Sequence, residues 1–381
     1  MKKFFFWLSL ATIIISAKVY AADQYLYSGF AYSGNYSNRE VLYPYTSKID
    51  MARLDQEFLA RLRRNPEALN RLKLDQGKIG QGSQISVAFA LNTETVETQV
   101  INGESFAVIR LNATVLAFDR ESKTLVAAYP FGVGTTVKVN GKVDNALAAE
   151  MIKKLYFSDE YGVNAFDKWI ARFSGAAIKE KFPKYFQVKS IEIEPEAKAI
   201  LASASIQESA YKNQIGNLLD AAISSENNVP VVPSTLGEAV GGKMMYRFSN
   251  ASALDLKLPE ADYGLSFTIR AFRSKITQEA TAAAGIYRAL ATVKVETTAK
   301  DFSKTYLDEK IFDTIFIRVP SGNAVQINNW SQYQKALSQL ITGMAKEFNK
   351  VDSQWLENSA ANGANAKDAF VATHELFNSL R

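Results

Sequence analysis

The chemistry open to this 381-residue chain is set by its acids, lysines and serines and a single histidine. His374 stands in Thr373-His374-Glu375-Leu376-Phe377. No second histidine completes a zinc-binding helix motif, and none elsewhere can serve a serine nucleophile. The chain has no cysteine, which excludes disulfides, thiolate metal sites, cysteine nucleophiles and a lipid anchor through cysteine. Ser209-Ala210-Tyr211-Lys212 places a lysine one helical turn after a serine, the Ser-x-x-Lys spacing of some hydrolases. No Lys-Thr-Gly or Ser-Asp-Asn element accompanies it. Paired carboxylates are the other option, because a glycosidase needs two acids facing one cleft. The candidates are Asp159 with Glu160 and Glu192 with Glu194. Glu192, Glu194 and Glu196 alternate with Ile191 and Ile193, which predicts one exposed strand face of acids or a cation site. Gly77-Lys78-Ile79-Gly80-Gln81-Gly82 lacks the Gly-Lys-Ser/Thr ending of a phosphate loop and precedes a strand, so no phosphate role is expected there.

These groups need a frame, and 47% hydrophobic residues supply enough apolar mass for a sizeable core. Residues 1–21, MKKFFFWLSLATIIISAKVYA, join a basic start, a short apolar run and small residues, the pattern of a secretory signal peptide. The run is shorter than the ~20 residues of a membrane span. Removing it takes Lys2, Lys3 and Lys18 and no acid, so +5 − 3 = +2 remains. That charge, with no basic stripe, argues against nucleic acid as a partner. A periplasmic location is expected. Residues 22–48 are dense in tyrosine and read as an irregular or strand-like arm. It either packs on its own domain or offers a partner Tyr25, Tyr27, Phe30, Tyr32 and Tyr36, since tyrosine contributes contact area at little entropic cost.

An N-terminal α/β domain is expected over 49–185. Ile49, Leu54, Phe58, Leu62, Leu69 and Leu72 make a helical stripe, interrupted where Asn65 caps a second piece with Pro66 at its first position. Strands are expected over 84–99, 106–118 and 125–133, the last two joined by a polar turn at 119–123. Asp144 caps a helix carrying Leu147, Met151 and Leu155, and Val163, Phe166, Ile170 and Phe173 mark another. A C-terminal α/β domain is expected over 186–355. It begins with a strand at 188–194, a helix at 208–223, a short strand at 229–232 and a helix at 236–246. Strands at 263–276, 286–295 and 309–319 follow, and then an amphipathic helix from Trp330 to Phe348. The Ala, Asn, Gly and Ser of 358–365 predict a flexible tail over 356–381, ending in a short helix. The fold class predicted is α+β: two mixed α/β units, each with a hairpin-containing antiparallel sheet packed by helices. Both units read as hairpin then helix, which suggests that they are related.

The order of elements in 186–352, with Ala261-Asp262-Tyr263 opening a strand after a short Val-rich one, resembles a periplasmic α/β domain. TolB amino-terminal domains, the curli secretion lipoprotein, the penicillin-binding-protein activator lipoproteins and the flagellar H-ring proteins share it. The soluble H-ring proteins are similar in lacking a lipidated cysteine. The resemblance implies an adaptor that binds other cell-envelope proteins, with no cofactor and with homo-oligomers left open. The function expected is therefore a periplasmic, non-catalytic scaffold in an envelope, secretion or surface-appendage assembly, binding through sheet edges and the aromatic arm. The alternatives are a cell-wall hydrolase, using paired carboxylates or the Ser-Lys pair, and a small-ligand binding protein.

Overall fold

The computed structural model describes residues 25–34, 36–74, 85–101, 104–234, 239–240, 242–249, 252–278, 284–320 and 327–381. The signal-like segment 1–21, the glycine-rich turn at 77–82 and the start of the helix expected at 236–246 lie outside those residues. Helix and strand each take about 39% of the chain, in an α+β fold of two mixed sheets packed by helices.

The first unit runs β1 (Tyr25–Ser33), α1 (Arg39–Leu42), α2 (Met51–Leu62), α3 (Pro66–Asn70), β2 (Leu72–Lys73), β3 (Ile85–Ile101), β4 (Glu104–Asp119), β5 (Thr124–Val139), α4 (Asn145–Phe157) and α5 (Ala165–Gly175). The short-range signals act as expected. The Asn65 side chain accepts from the Ala68 amide with Pro66 opening α3, and Asp144 caps α4 through the Leu147 amide. The second unit runs β6 (Phe186–Ile193), α6 (Pro195–Ser203), α7 (Glu208–Asn227), β7 (Val231–Val232), β8 (Ala239–Val240), β9 (Lys243–Phe248), β10 (Ala253–Lys257), β11 (Tyr263–Gln278), β12 (Ala284–Ala299), β13 (Thr305–Pro320), α8 (Asn329–Asn349), α9 (Ser353–Ser359) and α10 (Gly363–Leu380).

The two sheets share one topology. In the first, β2-β1-β3 are parallel and β3-β4-β5 form an antiparallel meander. In the second, β7-β6-β11 are parallel and β11-β12-β13 form the meander. Helices cover one face of each. Tyr27, Phe30, Phe89, Trp169 and Phe173 sit in the first core, and Phe186, Phe267, Leu337, Leu340 and Phe348 in the second.

One alternative holds and two expectations are corrected. Of the two readings of the tyrosine-rich arm, packing on its own domain holds, because β1 is flanked by β2 and β3 and covered on both faces. Such a strand carries a near-continuous apolar and aromatic run with no polar alternation. The helix at 236–246 is replaced where described by strands. In β9, Met244, Tyr246 and Phe248 are buried and alternate with less buried neighbours, a period of two. The flexible tail is instead α9 and α10, and buried Phe370, Leu376, Phe377 and Leu380 belong to the second core.

The β9–β10 hairpin also crosses the expected domain boundary. β9 pairs antiparallel with β1 through Ala31–Phe248, and β10 meets β5 at Lys257–Thr124. These pairings close β1-β3-β4-β5-β10-β9 into a ring. Its interior holds Ala88, Ala90, Leu116, Phe118, Met244, Tyr246 and Leu256. Gly29, at φ +92, lies in the β1 irregularity beside this junction. A Cβ there would stand 2.6 Å from Ser249 Oγ, so the close approach requires glycine.

Candidate functional site

The five aromatic residues expected to meet a partner are mostly interior. Tyr25, Tyr27, Phe30 and Tyr32 are 5% exposed or less. Their hydroxyls are used locally: Tyr25 donates to the Ile178 carbonyl, Tyr32 to the Thr46 carbonyl and Tyr27 to Asp55. Tyr36 alone is half-buried, between the guanidiniums of Arg39 and Arg247. The aromatic-arm reading is thereby corrected, because the sheet has buried the contact area that tyrosine would have given a partner.

The catalytic candidates stand apart. Ser209 is exposed, whereas Lys212 pairs with Glu208 at 3.0 Å and Glu192 at 3.5 Å. Partial burial disfavours the Lys212 ammonium, but the two carboxylates outweigh it and raise its pKa. A general base needs the opposite shift. Asp159 binds Arg61 at 2.8 Å and Glu160 binds Lys154 at 2.8 Å, both on the surface. Only Glu192 of the three alternating acids lies in β6. Glu194 precedes α6 and Glu196 lies in it, because Pro195 starts a helix there. They pair with Arg270 and Arg273. His374 lies on α10, its Nδ1 3.1 Å from the Phe348 carbonyl and its Nε2 2.9 Å from the Asn378 side chain. Among the described residues no group of three His, Asp or Glu side chains is arranged to hold a metal, and no helix is long and apolar enough to cross a membrane.

Buried carboxylates that the sequence did not mark have structural duties. Asp55 accepts from the Phe30 amide and the Tyr27 hydroxyl, and Glu94 accepts from the Thr46 amide. Asp220 on α7 accepts from the Ser234 amide at 2.8 Å, and burial pushes its pKa up to about 7.

β13 forms one edge of the second sheet. β13 pairs with β12 along its length, with no register shift from Ala284 to Thr297. On its other side the α9–α10 junction makes one isolated antiparallel bridge, Ile311 to Ala360. There the Ala361 amide donates to the Lys310 carbonyl at 3.0 Å. The polar backbone groups of Lys310 therefore point away from β12, and strand alternation turns those of Thr314, Phe316 and Arg318 the same way. The Thr314 amide donates to Asp313 Oδ1 at 2.6 Å, which masks one edge donor. Phe316 is 62% exposed and stands 5.4 Å from the Arg288 guanidinium. The register puts Lys275, Arg288 and Phe316 in one row across the sheet, and Thr277, Ile286 and Arg318 in the next. Among the described residues, Lys275, Arg288 and Arg318 make no ion pair. This edge offers ladder hydrogen bonds, an exposed aromatic ring and cations. Comparison with protein-family models and with curated protein sequences returned no match.

Proposed function

We propose that this protein is a non-catalytic binding or scaffold protein of a bacterial cell envelope. In this reading residues 1–21 export it to the periplasm, where it joins an envelope, secretion or surface-appendage assembly. The observation that carries the reading is the uncovered stretch of β13 from Thr314 to Arg318. An edge strand accepts a partner's strand through main-chain hydrogen bonds, while side chains on alternate residues give specificity. Phe316 anchors the contact and Lys275, Arg288 and Arg318 select an acidic partner, as aromatic residues and arginine do at interface centres. The resemblance of 186–352 to the periplasmic adaptor domains supports the same reading.

Site-specific photo-crosslinking in intact cells tests it. A crosslinking side chain at Phe316 is expected to yield a discrete adduct with another envelope protein. The same group at Val41, which is 76% exposed on α1 of the first unit, is expected not to yield it. Phe316→Pro removes an outward-facing amide without touching the ladder to β12, and should abolish the adduct. Identical adducts from both positions, or none from Phe316, would reject the reading.

A further inference from the structure

The rim of the second sheet where β12 turns into β13 carries an aromatic ring in an unusual place. Phe302 sits in that turn with φ +57 and is 68% exposed. A bulky side chain is strained in the left-handed region, which glycine and asparagine enter readily. The corresponding turn of the first sheet, between β4 and β5, also has a residue at positive φ, Lys123 at +52, and there the side chain is charged and exposed. The Phe302 turn is tied by hydrogen bonds. The Asp301 carboxylate accepts from the Ser303 hydroxyl at 2.6 Å and from its amide at 3.1 Å, and the Phe302 amide donates to the Ala299 carbonyl at 3.0 Å. A strained turn therefore holds an apolar ring out into solvent, and strain of this kind gathers where a surface makes contact.

Three lysines surround the ring. Lys189 Nζ lies 4.3 Å from the Phe302 ring centroid, Lys304 Nζ 4.4 Å from that of Tyr306, and Lys184 Nζ 5.1 Å from that of Tyr263. Tyr263 and Tyr306 meet edge to face at 5.7 Å, which joins the pairs into one cluster. Lys189 reaches the turn across Gly264, where a Cβ would stand 3.1 Å from the lysine Cδ. All three lysines are exposed, and among the described residues none of them forms an ion pair. The acids of this rim are engaged elsewhere: Glu260 pairs with Lys300 at 2.5 Å, Asp262 accepts from the Tyr185 amide, and Asp301 holds Ser303.

A single convex turn is a poor seat for a folded partner, because a specific interface buries about 800 Å² on each side. A bilayer surface needs only the tip. Its interfacial region takes an aromatic ring below the headgroups, while lysine stems lie along apolar surface and the ammoniums stay with the phosphates. Lysines without carboxylate partners favour anionic lipid, since each is attracted to a negative membrane surface.

We infer that the β12–β13 turn docks on a membrane surface rich in anionic lipid, with Phe302 inserted and Lys184, Lys189 and Lys304 on the phosphates. Thr314 lies nine residues along β13 from Thr305, about 30 Å at 3.3 Å per residue, so lipid contact at the turn leaves the β13 edge accessible.

The absence of cysteine allows a single one to be placed for labelling. Thr305→Cys in the full-length chain, carrying an environment-sensitive dye, is titrated with three probes: vesicles of equimolar phosphatidylcholine and phosphatidylglycerol, vesicles of phosphatidylcholine alone, and a soluble glutamate peptide. Only the anionic vesicles are expected to blue-shift the dye, and brominated acyl chains in them should quench it. The same dye at Val41→Cys, which any anchoring through residues 1–21 would carry along, should show neither change. Phe302→Asn should lower the vesicle affinity read from the Thr305 dye by about tenfold or more, with the melting temperature unchanged or raised because asparagine accepts the positive φ. Replacing Lys184, Lys189 and Lys304 together by glutamine should also lower it by about tenfold or more. Phe316→Pro should leave the dye response unchanged, so failure at the β13 edge and failure here are separable. An equal response to phosphatidylcholine alone, a response to the glutamate peptide in place of vesicles, equal quenching at Val41, or quenching at Thr305 that survives Phe302→Asn would each overturn the inference.

Discussion

The two sheets share strand order and strand direction, yet one is sealed and the other is open. In the first, the face away from its helices is apolar, with Ala88, Ala90, Leu116 and Phe118, and the β9–β10 hairpin covers it. In the second, the corresponding face carries Thr268, Arg273, Lys275, Arg288, Lys294, Glu296 and Asp308, all exposed or half-buried. Burying that charge without partners would cost far more than the contact returned. The topology therefore leaves a sheet face and an edge available in each unit, and side-chain type decides which is buried. The hairpin leaves the second unit at Pro233, crosses to the first sheet and returns at Tyr263, so the two halves of the chain fold as dependent parts.

The contrast is breakable by substitution. Phe30 is fully buried and stacks on Phe89 at 5.1 Å, so Phe30→Ala should cost about 3–5 kcal/mol in chemical denaturation. A loss under about 1 kcal/mol would mean that β1 is no true core strand. The next effect concerns pH and the acid on α7. Burial raises Asp220 from 3.8 to about 7 in the folded chain, so the folded form keeps a proton that the unfolded form has released. Stability then falls as pH rises from about 4 to about 7 and is level above that. Asp220→Asn should flatten this slope by a few kcal/mol across the window, read from denaturation midpoints at several pH values. An unchanged slope would place the proton elsewhere.

Asp55→Ala tests the seal itself. The Asp55 carboxylate accepts from the Phe30 amide at 2.7 Å and from the Ser249 side chain, and so ties α2 to β1 and to the end of β9. Its loss should cost about 1–3 kcal/mol. It should also speed amide exchange across 243–257, and exchange that stays slow there would show that the hairpin is held by its ladder alone. The smallest effect belongs to the open side. Phe316→Ala should change stability by less than about 0.5 kcal/mol, because a ring that is 62% exposed loses little on truncation. A larger loss would mean that this edge is covered within the protein.

Legibility in the sequence tracked the range of the interaction. The α2–α3 break at Asn65-Pro66, the polar turn at 119–123, the Asp144 cap and the apolar side of α8 are local signals, and each element forms where its signal lies. The tyrosines of β1 misled because parallel pairing with β3 joins segments dozens of residues apart, and a strand covered on both faces shows no alternation. Residues 243–248 did show alternation, in Met244, Tyr246 and Phe248, and a period-two reading would have found the strand. The candidate edge was anticipated only as a strand. Its exposure depends on where α9 and α10 cross, and the sequence took that stretch for a tail.

The sequence by itself determined the elements with local signals, the α+β class and the catalytic chemistries ruled out by one histidine and no cysteine. Those follow from residue type and from spacing over a turn or a strand. Tertiary structure decided which sheet closes and which aromatics are hidden. These outcomes depend on contacts between distant segments, whose partners are set only when competing faces are buried together.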